Sequence, residues 1–121
     1  MKISCAVLAA TLALAPTASF AYGLLDSMKD DETCTQGTSF PSSVIAACSR
    51  LIENIDGEVM PRMKGDLDLY YLFRSIMYEE GGKKEKACAD ATTAVELIPK
   101  AKPAHSKWLV TAQNVVKNNC E

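Results

Sequence analysis

Four cysteines, Cys34, Cys48, Cys88 and Cys120, are spread over the last hundred residues of this 121-residue chain and constrain its fold more than any other feature. A fifth, Cys5, sits in a different kind of segment. Met1-Lys2 opens the chain with a positive charge, an apolar run follows from Ala6 to Ala15, and Pro16 and then Ser19-Phe20-Ala21 close it. That run is about half of the roughly 20 residues a membrane-spanning helix needs, and small residues at both cleavage-determining positions mark a secretory signal peptide cut after Ala21. Cys5 precedes the apolar run, whereas a lipid-attachment cysteine would follow it. Removing residues 1–21 leaves an even set of four cysteines in 100 residues. Such a set reads as two disulfides in an oxidising location, periplasmic or secreted.

The length allows one domain. Only Lys2 is lost with the leader, so the mature chain carries 12 Lys+Arg against 15 Asp+Glu. A formal charge of −3 offers no basic field, and no nucleic acid partner is expected. No second apolar stretch approaches spanning length, so no membrane insertion is expected after the leader is removed. Residues 22–40 are mostly polar, with the acidic Asp30-Asp31-Glu32 and the loop formers Thr35, Gly37, Thr38 and Ser39. They show no strand alternation and read as an extended arm.

Residues 41–121 form the helical domain. Pro41 opens a first helix, with Ser39 upstream as its cap candidate. Val44, Cys48, Leu51 and Ile55, flanked by Ile45 and Ile52, recur at helical spacing until Asp56-Gly57 ends the run. Pro61 and Gly65 punctuate a linker loop over 56–65. Asp66 is placed to cap a second helix reaching about Glu80, with Leu69, Phe73, Ile76 and Met77 in one stripe and Tyr71 and Tyr78 beside it. Gly81-Gly82 stops it. A third helix over about 83–98 sets Ala87, Ala91, Ala94, Val95 and Ile98 on one face, and its three alanines let a partner helix approach closely. Pro99 and Pro103 bracket the next turn. A fourth helix over about 104–119 turns Trp108, Leu109, Ala112, Val115 and Val116 inward. Four antiparallel helices and no strand make an all-α fold.

Two of these helices are alike. Residues 44–53 can be laid on residues 87–96, an offset of 43, with small or apolar side chains at matching places and each segment ending in an apolar residue followed by Glu. The segment from Asp68 to Lys100 resembles a tetratricopeptide repeat: Tyr71, Arg74, Tyr78, Gly82, Ala87, Ala94, Leu97 and Pro99 fall at that family's spacings. Ser75 and Ala91 depart from it, standing where Gly or Ala and an aromatic are usual. With a cysteine in the arm ahead of Ile45-Ala46-Ala47-Cys48, the chain resembles small exported tetratricopeptide-repeat-like (TPR-like) proteins of Gram-negative bacteria. The resemblance implies one helix pair flanked by half-repeats. It also implies a non-enzymatic protein-protein interaction module, with a groove that binds a protein or peptide of unknown identity. Leu72, Ile76 and Glu79, together with Val110, Gln113 and Asn114, would line that groove. The competing expectation for Leu72 and Ile76 is simply core. The competing function is a secreted antagonist that neutralises a toxin or inhibits an enzyme.

No residue set points to catalysis, a metal or a cofactor. There is no Cys-x-x-Cys, His105 is the single imidazole, and it reads as a surface residue at a helix start. Asp66 and Asp68 read as helix-starting acids rather than a catalytic pair. Gly81-Gly82 lacks phosphate-loop spacing. Lys83, Lys84 and Lys86, opposite Glu79 and Glu80, read as a solvated, charge-compensated turn, with an anionic docking patch as the sharper alternative.

Antiparallel stacking would bring the start of the third helix, with Cys88, to the end of the fourth, with Cys120. Cys34 in the arm then pairs with Cys48; the other connectivities are 34–88 with 48–120 and 34–120 with 48–88. Closing loops of about 15 and about 33 residues contributes on the order of 3 to 4 kcal/mol each in the chain-entropy limit. A stack of fewer than three repeats is marginal without such ties. Excess reductant should therefore lower the melting temperature sharply in a thermal scan, and an unchanged melting curve would refute the paired reading.

Overall fold

The computed structural model describes residues 22–36, 40–57 and 61–121, and the proposed leader and Ser39 lie outside them. Six α-helices follow in order: α1 Leu24–Gln36, α2 Pro41–Glu53, α3 Pro61–Lys64, α4 Leu67–Glu80, α5 Lys84–Leu97 and α6 Leu109–Asn119. Two 3-10 segments, Ile98–Lys100 and Pro103–Trp108, carry the chain from α5 into α6. Among the described residues there is no strand, and no helix is long and apolar enough to cross a membrane. The all-α class and both disulfides, Cys34–Cys48 and Cys88–Cys120, are as the sequence indicates.

The arm is not extended. Residues 24–36 form α1, whose inward positions Ser27, Asp30 and Cys34 repeat with helical period but are polar or sulfur-bearing. A search for apolar periodicity misses such a helix, because tertiary contacts supply what its own hydrophobicity does not. Gly23 starts it: its N–H donates to the Asp26 carboxylate at 3.1 Å, and its carbonyl accepts from Ser27 N–H. Arg50 of α2 then grips Asp30 through two nitrogens, each at 2.8 Å, and Tyr22 donates to the same carboxylate at 2.7 Å. These hydrogen bonds hold the Arg50 guanidinium further above its ordinary pKa. Partial burial, followed by the Asp30 bond, raises the Tyr22 phenol.

With α1 in place the repeat becomes visible. Helices α1 and α4 begin 43 residues apart (24 and 67), as do α2 and α5 (41 and 84). The buried positions of α2, Val44, Ala47, Cys48 and Leu51, match those of α5, Ala87, Asp90, Ala91 and Ala94, at the same offset. The expected helix pair is α4 and α5, flanked by α2 and α6 as the sequence indicates; α1 adds to α2 the partner that makes a second hairpin in the same register. The long helices pack in succession, α1 on α2, α2 on α4, α4 on α5 and α5 on α6, while α4 also touches both α1 and α6. Helices α1, α4 and α6 therefore share one side.

The linker over 56–65 is corrected too. It contains α3, one helical turn that drives Met63 fully into the core formed by Cys34, Val44, Ala47, Cys48, Leu51 and Tyr70. A second cluster joins Leu72, Ala94, Ile98 and Ala112, and a third joins Ala87, Ala91 and Val115. Ser75 is buried without cost because its hydroxyl donates to the Leu72 carbonyl at 2.6 Å. The α4–α5 turn closes as a Schellman motif: Gly82 takes φ +74°, Gly82 N–H donates to the Glu79 carbonyl and Lys83 N–H to that of Tyr78.

Tyr70 fixes α4 against α1. Its ring is fully buried and its hydroxyl donates to Asp31 at 2.6 Å, while Arg62 of α3 pairs with the same carboxylate at 3.5 Å. Burial first, and the Asp31 bond second, push the Tyr70 phenol well above its ordinary pKa. A group whose folded pKa is raised stabilises the fold below its unfolded value, about 10 for tyrosine, and that contribution is lost as pH climbs beyond it. The domain should lose stability above about pH 10, and Tyr70→Phe should flatten that loss while lowering stability by about 1 kcal/mol near neutrality. Chemical denaturation across the alkaline range reads both effects.

Candidate functional site

Three groups of side chains meet at α4. The first is Arg74, which the sequence motif singles out. Its Nε and Nη2 donate to the two oxygens of Asp90 on α5 at 2.6 and 2.8 Å, and its Nη1 donates to the Ser49 hydroxyl on α2 at 2.9 Å. The guanidinium also lies 5.6 and 5.7 Å from the ring centroids of Tyr71 and Tyr78. One side chain thus joins three helices across both hairpins, and the Asp90 bonds hold it further above its ordinary pKa.

The second group surrounds His105, and here the sequence reading is corrected. His105 is 8% exposed rather than a surface residue. The 3-10 segment before α6 turns its ring onto the start of α4, where Nδ1 lies 2.9 and 3.1 Å from the Asp68 oxygens. Nε2 stands 3.4 Å from Asp66, whose carboxylate also accepts from Lys102 Nζ at 3.0 Å. Asp66 does occupy the N-cap position of α4, but its side chain makes no capping bond and serves this cluster instead. Gly65 gives Lys102 its passage, since a Cβ there would stand 2.9 Å from the Lys102 Cε. Beside the cluster, Lys64, Leu67, Asp68, Leu97 and Lys100 line a shallow cavity of about 200 Å³. Nothing in the local sequence announces His105, because its partners lie 37 and 39 residues earlier.

The third group is apolar. Phe73 packs on the first core cluster and Trp108 on the second, and the two rings meet edge to face at 5.3 Å. Both are half-buried, and Lys107 Nζ lies 5.9 Å over the indole. An open hollow lined by Lys107, Trp108 and Thr111 adjoins the pair. At the far end Asn119 donates to Glu79 at 2.8 Å, so α6 and the 3-10 segment ahead of it are each tied to α4.

The expected groove residues separate. Leu72 is 0% exposed and belongs to the second core cluster, so it is corrected from groove to core. Ile76 is half-buried between the second and third clusters, and Glu79 is half-buried on Asn119. Val110, Gln113 and Asn114 are exposed on the face of α6 opposite the buried Ala112 and Val115. They do not share a surface with Leu72. Lys83, Lys84 and Lys86 are exposed, and no ion pair joins them to Glu79 or Glu80; Lys86 instead lies 5.6 Å over the Tyr78 ring.

Among the described residues no group of three or more His, Cys, Asp or Glu side chains is arranged to hold a metal ion. Asp66, Asp68 and His105 fail geometrically, because the imidazole turns a different nitrogen to each carboxylate. A family-model scan, a search of curated proteins and a search of solved structures each return no match to the chain.

Arg74 and Asp90 are both largely shielded, with side chains 17% and 8% exposed. Removing one partner leaves a buried charge uncompensated, so Arg74→Ala should cost about 3 to 5 kcal/mol, and the Arg74→Ala/Asp90→Ala double variant less than the sum of the singles. Denaturant titration of the four-member cycle measures both.

Proposed function

We propose that this chain is a non-enzymatic, exported interaction module of TPR-like character, working in the periplasm or after secretion, that docks a protein or peptide along the side shared by α1, α4 and α6. The observation that carries this reading is the half-exposed Phe73–Trp108 pair at the α4–α6 seam, with Lys107 and Thr111 beside it. Aromatic anchors flanked by a polar rim are where binding energy concentrates in protein interfaces. The two disulfides support an oxidising location, and the registered hairpins support a repeat-type scaffold.

The docking surface differs from the one the resemblance implies. Phe73, Trp108, Lys107 and Thr111 replace Leu72 as its centre, with Glu79 at its far end. Rigid hairpins lose little order on binding, so a modest contact area can give a specific complex.

Crosslinking on an envelope extract tests this reading. The wild-type chain should capture a defined set of partners, and Lys107→Glu with Thr111→Arg, which leave the core intact, should reduce capture about tenfold or more. Equal capture by wild type and variant would contradict the assigned surface. One tight partner at fixed stoichiometry would favour the antagonist reading over a scaffold.

A further inference from the structure

We infer that the Cys88–Cys120 bond is a thiol-exchange site, opened in the folded domain by an incoming dithiol, while the Cys34–Cys48 bond stays closed. The two bonds share a Cα–Cα span of 5.0 Å but differ in their surroundings. Cys34 and Cys48 are 1% and 0% exposed and sit among Val44, Leu51, Met63 and Tyr70. Exchange requires a thiolate to reach a disulfide sulfur, so this bond is shut to any reagent until the core opens. Cys88 and Cys120 are half-buried, and neither belongs to a core cluster. Ala89 and Thr92 on α5, and Lys117 and Asn118 on α6, flank them and are exposed.

Cys120 carries the sulfur that is attacked. It lies past the last turn of α6 on extended backbone, φ −98° and ψ 111°, whereas Cys88 is held inside α5. Cys120 can therefore follow an incoming sulfur without unwinding a helix. The dithiol's thiolate bonds to Cys120 Sγ and the bond to Cys88 breaks. Its electron pair leaves on Cys88 Sγ, which takes a proton from solvent. The second thiol, ionised in turn, attacks the dithiol's first sulfur and expels Cys120 Sγ, which is protonated likewise. Thr92 Oγ1 lies 3.7 Å from that sulfur. A disulfide sulfur carries no hydrogen, so the hydroxyl is the donor, and its bond strengthens as the sulfur departs with a negative charge. Across both steps the domain gains two electrons and two protons, and the dithiol becomes a disulfide. A dithiol is the reductant class required, because its own second thiol completes the exchange before the mixed disulfide reverts.

Opening this bond frees α6. The helix buries Ala112, Val115 and Asn119, and its polar tie to α4 is the Asn119–Glu79 bond at 2.8 Å. Lys107 and Trp108 stand immediately ahead of α6 and Thr111 within it, so the exchange acts on the docking surface. That consequence rests on the proposed function; the exchange site itself does not.

Alkylation of the folded chain tests the site. The protein is treated with dithiothreitol at about pH 8, where thiols are partly ionised, and pulses of iodoacetamide trap each freed thiol. Peptide masses then read which cysteines are labelled. Labelling of Cys88 and Cys120 should run at least about a hundredfold faster than that of Cys34 and Cys48, with far-UV circular dichroism retained. Thr92→Val should slow the opening roughly fivefold, the weight of one hydrogen bond. Labelling of all four cysteines together, or of Cys34 and Cys48 first, overturns the inference, and an equal rate in Thr92→Val strikes out the donor role of Thr92. The selectively opened and alkylated chain should also capture fewer partners from an envelope extract. Undiminished capture, with the selective labelling intact, overturns the control of docking alone.

Discussion

Each end of the helical stack is covalently bonded to the layer inside it, and the rest of the fold depends on that. An end helix has a neighbour on one side only, so it can bury little. Helix α1 buries Ser27, Asp30 and Cys34, and α6 buries Ala112, Val115 and Asn119. Neither set contains a Leu, Ile or Phe, whose full burial is worth about 1.5 to 3 kcal/mol each. The Cys34–Cys48 bond fastens α1 to α2, and the Cys88–Cys120 bond fastens α6 to α5. Each bond offsets chain entropy by about as much as one or two such side chains would contribute.

The middle of the stack is held differently. Leu51, Met63, Tyr70, Leu72 and Ile98 are fully or almost fully buried between α2, α3, α4 and α5. Arg74 adds direction to that burial, because its fork fits Asp90 and its remaining nitrogen reaches Ser49. The alanines of α5 let α6 lie close on the other side. A centre made this way frees the outer side of α4 for other tasks: His105 and Trp108 both rest there, on a helix that cannot easily shift.

The sequence made some of this legible and hid the rest for identifiable reasons. Cysteine parity and helix order favoured, among three connectivities, the Cys34–Cys48 and Cys88–Cys120 pairing that the structure shows. The alanine stripe at Ala87, Ala91 and Ala94 and the Gly82 turn were legible because small residues and a left-handed glycine act locally. Helix α1 was hidden because its inward face is polar. In α4 the expected stripe of Leu69, Phe73, Ile76 and Met77 is only half-buried against the core, since a central helix has neighbours on several sides and fully buries Tyr70, Leu72 and Ser75 instead. His105 was hidden because its environment is made by residues distant in the chain. Leu72 was misread because a groove position and a core position have the same apolar signature.

The central claim is that the two disulfides hold the ends while packing and Arg74 hold the middle. Hydrogen exchange on Cys34→Ser/Cys48→Ser and on Cys88→Ser/Cys120→Ser measures this directly, because local opening is read helix by helix. The account predicts that the first variant loses protection in α1 and the second in α6, with α4 and α5 still protected in both. Equal loss of protection along the whole chain in either variant would contradict it.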